Sequence, residues 1–306
     1  MQLYDLKTWA EGEQTLYEAQ VIKRPSKYIK TPYVADVSLL DPVSKVGMVE
    51  DGEKEQQTVL AHSASLGCCG LADKDAHVLM TKMKADKNPK GKEKCAYRIC
   101  LAVIPYCENG VQKETIVGIH PKLAEELVEN ALYHNCLSKL QNISNLKREV
   151  SIRIGDKVNS RFDFTGVDDN NIPFILEVKN VPLADFEDVT SKERKKMDFT
   201  GRDYNSKVSY FPDGYRKKSA DPVSPRALKH IRELEIICKE TKVRCILCFV
   251  IQRTDIDRFT TSQIDMEYKN AVKQAANNGV EIYTLVVEWR RDGTAHFVRD
   301  DLPILL

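Results

Sequence analysis

Residues 173–179 read PFILEVK, an apolar run that ends in Glu177, Val178 and Lys179. Residues two apart in a β-strand point to the same face, so Glu177 and Lys179 place opposite charges side by side on an otherwise apolar strand. A strand that looks buried rarely has two charged residues on one face. The stretch therefore predicts a strand whose charged side chains serve either a functional site or a structural ion pair.

A second strand candidate, residues 160–164 (SRFDF), precedes this one, and the segment between them, Gly166–Asn171, is rich in turn residues. Such a pattern predicts a β-hairpin. A hairpin centred near residue 170 pairs residues whose numbers add up to about 340. This register places Asp163 opposite Glu177.

Facing carboxylates need a compensating cation. Two of them about 5 Å apart repel each other by roughly 3 kcal/mol at an effective dielectric constant of 20, and like charges across strands destabilise a sheet. A divalent ion such as Mg²⁺ binds one or two carboxylates together with waters and a phosphate. The alternative is that Lys179 or Arg161 pairs with Asp163 and Glu177 in a structural ion cluster.

Length, charge and cysteine content set bounds on the class of protein. The 306 residues are enough for two domains, and a net charge of +1 means that nucleic-acid binding would depend on local patches. No apolar stretch reaches the length of a membrane span, and the first residues lack the features of a secretory signal. The nine cysteines have no disulfide framework spacing, so an intracellular, cytoplasmic protein is expected, with the nucleus or an organelle as alternatives. Cys245 and Cys248 fall in a strand pattern and are expected to be buried thiols.

The first part of the chain has a β pattern. Five short alternating segments predict a small barrel or sandwich. These segments are Glu18–Ile22, Tyr33–Leu39, Gln57–Ala61, His77–Lys82 and Tyr97–Ile104. Basic and aromatic residues near them are typical either of solvated loops or of the face that single-strand-binding barrels use. They are the lysine-rich segment 84–94, Lys23, Arg24, Lys27, Tyr28 and Lys30.

Downstream of residue 117, helix and strand patterns alternate, which predicts an α/β domain with mixed strand directions. Helices are expected over residues 121–135 and from Ser224 to about residue 239, and a strand ends at Gln252. The polar stretch 185–224 is too long for an ordinary connection. Its run KERKK, at 192–196, is typical of a solvated insertion, a nuclear-import signal or a phosphate-binding run.

Several segments, in order, resemble the motifs of the SfsA family, the sugar fermentation stimulation proteins. They are residues 160–164 (SRFDF), 177–181 (EVKNV), 211–213 (FPD), 229–234 (KHIREL) and 249–253 (FVIQR). Further matches reach into the β-rich part, so the resemblance covers most of residues 18–287. A colinear set of this kind is far more specific than any single motif.

The resemblance implies an α+β or α/β chain with an N-terminal OB-like β-barrel over residues 1–117. A mixed-sheet domain similar to the PD-(D/E)XK restriction endonucleases would follow over residues 118–306, with an insertion around residues 185–210. Members of the family are regarded as DNA-binding proteins, and the core is compatible with nuclease activity.

On the matching positions, the resemblance implies that Asp163, Glu177 and the carbonyl of Val178 bind Mg²⁺ or Mn²⁺. Lys179 would orient or activate the attacking water and offset charge on the phosphate, and Gln252 would contact the phosphate or position water. The expected nucleic-acid contacts are Lys23, Arg24, Arg161, Lys229 and His230.

Three places depart from the family pattern, and one of them is the insertion between Val181 and Phe211. Where the family usually has an acid ahead of an Ala-Leu pair, this chain has Asn130, with Glu129 one position early, so a third acid in the site is not implied. A loop that usually reads Pro-Asn-Thr-Gly is ASLG at residues 64–67, so no role of that loop is carried over.

The leading hypothesis is therefore a DNA-binding protein with a Mg²⁺- or Mn²⁺-dependent phosphodiesterase site, a metal-dependent deoxyribonuclease. One alternative is a non-catalytic DNA-binding or regulatory protein on a nuclease-like scaffold. Another is an enzyme that acts on a small nucleotide.

Overall fold

The computed structural model describes residues 1–9, 15–40, 58–64, 70–83, 95–212 and 222–306. Helices and strands are mixed, and strands predominate. The chain divides into two compact units. The small unit consists of Asp5–His120 and Trp289–Thr294, and the large unit consists of Met1–Tyr4, Pro121–Glu288 and Ala295–Leu306. None of the helices in the described ranges is long and apolar enough to cross a membrane.

The strands, in chain order, are β1 (Gln2–Asp5), β2 (Leu16–Lys23), β3 (Val34–Leu39), β4 (Thr58–Ser63), β5 (His77–Lys82), β6 (Tyr97–Glu108), β7 (Val111–Gly118), β8 (Ser144–Ile154), β9 (Val158–Val167), β10 (Pro173–Val181), β11 (Ala184–Asp185), β12 (Lys207–Phe211), β13 (Arg244–Ile251), β14 (Ile256–Thr261), β15 (Glu281–Trp289), β16 (Thr294–Arg299) and β17 (Ile304–Leu305). The helices are α1 (Leu6–Trp9), α2 (Pro121–Tyr133), α3 (Ser191–Arg194), α4 (Pro225–Glu240) and α5 (Met266–Asn277).

The small unit is built on a six-stranded sheet in the order β4-β3-β2-β5-β6-β7, in which β4 also pairs with β6. Strands β2 to β6 therefore form a closed circuit of hydrogen-bonded pairs, antiparallel except for the parallel pair of β4 and β6. Inward residues such as Ala19, Val21 and Val37 are fully buried and form one apolar cluster. The five strands predicted from the alternating pattern are confirmed. The basic segment 84–94 and most of the loop at 64–67 lie outside the described residues.

The large unit contains a seven-stranded sheet in the order β1-β16-β15-β13-β10-β9-β8 and a four-stranded sheet in the order β11-β12-β14-β17. Strands β10, β13 and β15 are parallel, whereas β8, β9 and β10 are antiparallel, which confirms the predicted mixed directions. Helix α2 packs against β10, and α4 packs against β9 and β13. Strand β13 is almost entirely buried, and Cys245 and Cys248 are core thiols as predicted.

Strands β9 and β10 form the predicted hairpin. Leu176 pairs with Phe164, and Ile175 pairs with Thr165, which is the expected register. One further step in the same register brings Asp163 opposite Glu177. The hairpin therefore places the two acids on neighbouring strands, β9 and β10, between the central strand β13 and the edge strand β8 of the large sheet.

The turn of this hairpin is fixed by Asp168. Its Oδ1 accepts hydrogen bonds from the backbone N–H groups of Asn170 and Ile172, at 2.9 and 2.8 Å. Its Oδ2 accepts from Arg244 at 2.7 Å. An aspartate that bonds the backbone two and four residues ahead closes a tight turn. The closed end of the hairpin is thus held in register from both the turn and β13.

Helix α4 begins where the sequence predicts, because the Ser224 side chain accepts a hydrogen bond from the Ala227 N–H and Pro225 occupies the first turn. Its buried apolar residues include Ile231 and Leu234. His230 and Glu233, two polar residues of this helix, are buried as well, with 4% and 5% of their surfaces exposed. Hydropathy does not predict their burial, because each is held by a polar partner on the sheet.

The predicted insertion around residues 185–210 contains β11, α3 and the start of β12. Phe186 and Phe199 stack with ring centroids 5.2 Å apart, and the guanidinium of Arg194 lies over Phe199 while pairing with Asp185. Lysines of the KERKK run are exposed. The aromatic stack and the ion pair therefore connect the two halves of this segment to each other.

Candidate active site

Glu177 is the best-shielded acid of the predicted set, with 2% of its surface exposed. Its Oε1 accepts from Lys179 Nζ and lies 2.5 Å from His230 Nδ1 on α4. Burial alone would raise the pKa of Glu177, but the charge of Lys179 and the hydrogen bond of His230 outweigh it and lower the pKa to about 2. Glu177 is therefore an ionised carboxylate at neutral pH. Because an ionised carboxylate can only accept hydrogen bonds, His230 Nδ1 is the donor in this hydrogen bond.

The second oxygen of Glu177, Oε2, is buried and has no hydrogen-bond partner among the residues that the structure describes. A buried carboxylate oxygen without a partner is costly and requires an explanation, such as an ion or a water. Glu233 Oε2 shares this feature, so the unbonded oxygen alone does not mark a site. What sets Glu177 apart is the second acid that faces it.

Asp163 is that second acid. Its Oδ2 accepts a hydrogen bond from the Val178 N–H at 2.7 Å, just beyond the last regular pair of β9 and β10. Burial and the charge of Glu177 raise the pKa of Asp163 to about 7, although Lys179 and the Val178 N–H act in the opposite direction. Two neighbouring carboxyls whose pKa values are pushed apart are typical of functional sites.

The donor set fits a hard divalent ion. Asp163 and Glu177 are carboxylates, the backbone of Val178 lies between Glu177 and Lys179, and Glu177 Oε2 has capacity for a ligand. Within the described residues, no group of three or more His, Cys, Asp or Glu side chains is arranged to hold a metal. An ion here would therefore take two carboxylates and complete its shell with carbonyl oxygen, water or phosphate, as Mg²⁺ does.

Tyr268, on α5, adds a second unusual polar group to this region. It is fully buried, and its hydroxyl has no hydrogen-bond partner in the part of the chain that the structure describes. Burial raises its pKa well above the usual value, and the charge of Glu177 contributes. Tyr268 was not predicted, because a tyrosine at a buried helix position is usual for a core residue and does not reveal a nearby acid on another element.

Gln252 lies one residue past β13 and is completely buried. Its Nε2 donates to Asn180 Oδ1 at 2.6 Å, and its backbone N–H donates to Val181 O at 3.3 Å. The structure therefore places it beside β10, next to the residue that follows Lys179. The bond to Asn180 fixes the orientation of this buried side chain, and its contact with phosphate or water stays a prediction.

The predicted nucleic-acid contacts are dispersed. Arg161 is exposed and pairs with Glu149 at 3.5 Å, whereas Lys229 Nζ donates to Asn159 O at 2.7 Å. His230 lies in the interior against Glu177, so its position favours holding that carboxylate over touching an exposed phosphate. In the small unit, Lys23 is exposed, and Arg24 bonds Ser63 and pairs with Asp73.

The question of a third acid turns on α2. Asn130 Nδ2 donates to the Glu126 carbonyl, and Glu129 joins Glu125 and Glu126 around Arg148. Of these, Glu125 contributes to the raised pKa of Asp163, so it is the acid of the helix that acts on the site electrostatically. The family pattern pointed to the position of Asn130 and did not indicate Glu125. Glu125 lies four residues before Glu129, on the same face of the helix.

Two comparisons with known proteins concern the family and the fold of this chain. The model of the family described as "Sugar fermentation stimulation protein RE domain" matches residues 122–192 and 200–293, more than half of the chain. The solved structure of Pyrococcus furiosus SfsA in complex with Ca²⁺ has a similar fold, with a TM-score of 0.65, 17% sequence identity and 100% coverage of both chains. The family match skips residues 193–199, inside the predicted insertion. The chain therefore belongs to the SfsA family.

Proposed function

We propose that this protein binds DNA and that its large unit contains a Mg²⁺- or Mn²⁺-dependent phosphodiesterase site. Membership of the SfsA family supports the DNA-binding or regulatory role. The observation that carries the catalytic part is the pairing of Asp163 with Glu177, where Glu177 has one bonded and one unbonded buried oxygen. Such an arrangement leaves one carboxylate oxygen of Glu177 available to a cation other than Lys179.

Each residue of the proposed site has a role that follows from its contacts. Asp163, Glu177 and the Val178 carbonyl would hold the ion, which when bound polarises a phosphoryl oxygen and lowers the pKa of a bound water. Lys179 would orient the attacking water and offset charge that develops on the phosphate. His230 would keep Glu177 ionised and in place.

The identity of the ion follows from the number of protein ligands. A site with two carboxylates and a carbonyl leaves several positions to water and phosphate, which suits Mg²⁺ or the similar Mn²⁺. The Pyrococcus furiosus relative was solved in complex with Ca²⁺, which supports a divalent ion in this fold.

For the small unit, we propose an OB-like barrel that contacts nucleic acid. The closed circuit of β2 to β6, with one parallel pair between its third and fifth strands, is the strand order of a five-stranded Greek-key barrel. Exposed basic residues such as Lys23 supply local positive charge that the balanced overall composition lacks.

The test is incubation of purified protein with labelled linear and circular DNA in Mg²⁺, Mn²⁺ or EDTA. The variants are Asp163→Asn and Lys179→Ala. We expect metal-dependent cleavage that is lost in Asp163→Asn and reduced by about 10²- to 10³-fold in Lys179→Ala, the usual effect of removing one group that stabilises developing charge. DNA affinity in EDTA should change little.

Matched controls are Asp169→Asn, on the exposed turn of the same hairpin, and Lys273→Ala, on the exposed side of α5. Asp169→Asn makes the same change as Asp163→Asn, and Lys273→Ala makes the same change as Lys179→Ala, at positions away from the site. Both variants should cleave like the wild type. Cleavage that persists in Asp163→Asn at the wild-type rate would exclude this site as its source.

A second candidate function is a non-catalytic DNA-binding protein on the same scaffold. The observation in its favour is that, in the described part of the chain, the site offers two carboxylates and no third metal-ligating side chain. In that case all variants would retain salt-dependent DNA binding, and none would cleave in any metal.

A further inference from the structure

The loop between β2 and β3 holds an exposed aromatic residue in a fixed position. Tyr28 has 64% of its surface exposed, and Tyr33 at the end of the loop has 41%. The ammonium of Lys27 lies 4.7 Å from the centre of the Tyr28 ring. Tyr28 and Lys27 therefore form a cation–π pair at the surface, which holds an aromatic face and a positive charge side by side.

Buried polar groups fix the backbone beneath Tyr28. Ser26 and Asp36 are 2% and 1% exposed, and Ser26 Oγ donates to Asp36 Oδ1 at 2.5 Å. Asp36 Oδ2 accepts from the Lys27 N–H at 2.9 Å, and Ser26 Oγ accepts from the Tyr28 N–H at 3.0 Å. The loop therefore presents the ring on a preorganised support, which lowers the entropy that binding would cost.

The loop that carries the ring is basic. The segment from Ile22 to Ala35 contains Lys23, Arg24, Lys27 and Lys30 and no acidic residue. Of the acids beside it, Asp36 is buried beneath the loop, Asp73 pairs with Arg24, and Asp75 is exposed where its N–H bonds Val21 O. Three exposed lysines in the same loop as an exposed tyrosine suit a nucleic-acid strand, because lysines bind phosphates and an aromatic ring stacks on a base.

We propose that Tyr28 stacks on an unpaired base, while Lys23, Lys27 and Lys30 contact the flanking phosphates. This inference rests on the nucleic-acid binding of the proposed function and narrows its ligand to single strands at this loop. Stacking requires an open base face, which single strands offer and the interior of a duplex does not. In OB-type barrels the loop between the first two barrel strands is one of those that bind oligonucleotides, and the β2–β3 loop has that place in the circuit.

The test measures the affinity of labelled oligo-dT and of a duplex of equal length by fluorescence anisotropy in EDTA, where metal-dependent cleavage is suppressed. Tyr28→Ala should weaken binding of the single strand by about 5- to 150-fold, the range for loss of one stacked base, and change duplex binding by less than about 2-fold. Tyr28→Phe should bind like the wild type. The triple variant of Lys23, Lys27 and Lys30 to Ala should reduce the slope of log affinity against log salt by about 2.

The control is Tyr133→Ala, which removes a tyrosine of similar exposure, 62%, from α2 of the large unit. Equal binding of the single strand by wild type and Tyr28→Ala would overturn this inference alone, and so would an equal loss for single strand and duplex. Competition by polyglutamate as effective as by oligo-dT would show a general polyanion site and would also overturn it. If the wild type binds neither nucleic acid, the proposed function fails as well.

Discussion

Two buried ion clusters of the large unit share a sequence spacing and differ in how completely they are paired. Glu177 and Lys179 stand two residues apart on β10, and Arg253 and Asp255 stand two residues apart after β13. Both acids are almost fully buried, at 2% and 1% exposure. From the sequence alone, either pair could be a site or a structural ion pair.

The structure separates them by the bonds of the carboxylate oxygens. Arg253 donates to both oxygens of Asp255 at 2.7 Å, and Lys207 Nζ adds a third contact at 2.5 Å. At Glu177 both partners bind Oε1, and Oε2 finds none within the described ranges. Complete pairing indicates a cluster that stabilises the fold, whereas incomplete pairing opposite a second acid indicates a place for an added cation.

The first prediction tests whether the Arg253–Asp255 cluster stabilises the fold. Arg253→Ala should lower the free energy of unfolding more than any other variant proposed here. Removing Arg253 takes two hydrogen bonds from the buried Asp255 carboxylate and leaves Lys207 as its remaining cationic partner, and breaking a buried ion pair costs about 3–5 kcal/mol. Urea unfolding should show this loss in the free energy of unfolding. The control is Arg258→Ala, whose pair with Asp257 is more exposed and should contribute less than about 1 kcal/mol. If Arg253→Ala lowers the free energy of unfolding no more than the control does, the ion pair of Arg253 with Asp255 does not stabilise the fold.

Strictly local patterns allowed much of the site to be predicted. The opposition of Asp163 and Glu177 follows from the period of two in a strand and from the turn residues between them, and the observed register agrees. His230 could not be assigned to Glu177, because 53 residues separate them and the helix pattern favours a solvent-facing position. Lys207, 48 residues from Asp255, escaped prediction for the same reason. Pairings across distant elements depend on packing, which no short window of sequence contains.

The second prediction concerns pH. The pKa of Asp163 is raised to about 7 in the folded protein, above its ordinary value of 3.8. A raised pKa means that the folded state binds the proton more tightly, so this contribution to stability is complete below about pH 4 and is lost as the pH rises through about 7. In EDTA, the free energy of unfolding should fall by about 2 kcal/mol between pH 5 and pH 7 because of this group, since each pKa unit corresponds to about 1.4 kcal/mol and Asp163 is only half ionised at pH 7.

Asp163→Asn isolates that contribution, because the amide does not titrate. Urea unfolding at the two pH values should show a smaller decline in this variant than in the wild type, and Mg²⁺ should reduce the wild-type decline by compensating the charge. Glu177 acts in the opposite sense: its pKa of about 2 lies below the ordinary 4.5, so its contribution is present above about pH 4.5 and lost as the pH falls through about 2. Identical pH profiles for wild type and Asp163→Asn would show that Asp163 is not held in the environment described.

The last prediction concerns the difference between His230 and Arg253. Arg253 bonds both oxygens of Asp255 and leaves no oxygen for an ion, whereas His230 bonds only one oxygen of Glu177. His230 is a positioning residue in this view: it bonds Oε1 and leaves Oε2 available. His230→Ala should weaken divalent-ion affinity by about 10- to 100-fold, the usual effect of losing a group that orients a metal ligand, and should raise the pKa of Glu177.

Isothermal titration with Mn²⁺ measures the affinity, and His230→Gln, which can still donate to the carboxylate, should recover part of it. His134→Ala, at an exposed position after α2, serves as the control. Mn²⁺ affinity that is unchanged in His230→Ala would assign this histidine to the fold alone and would leave the unbonded oxygen as the only difference between the two clusters.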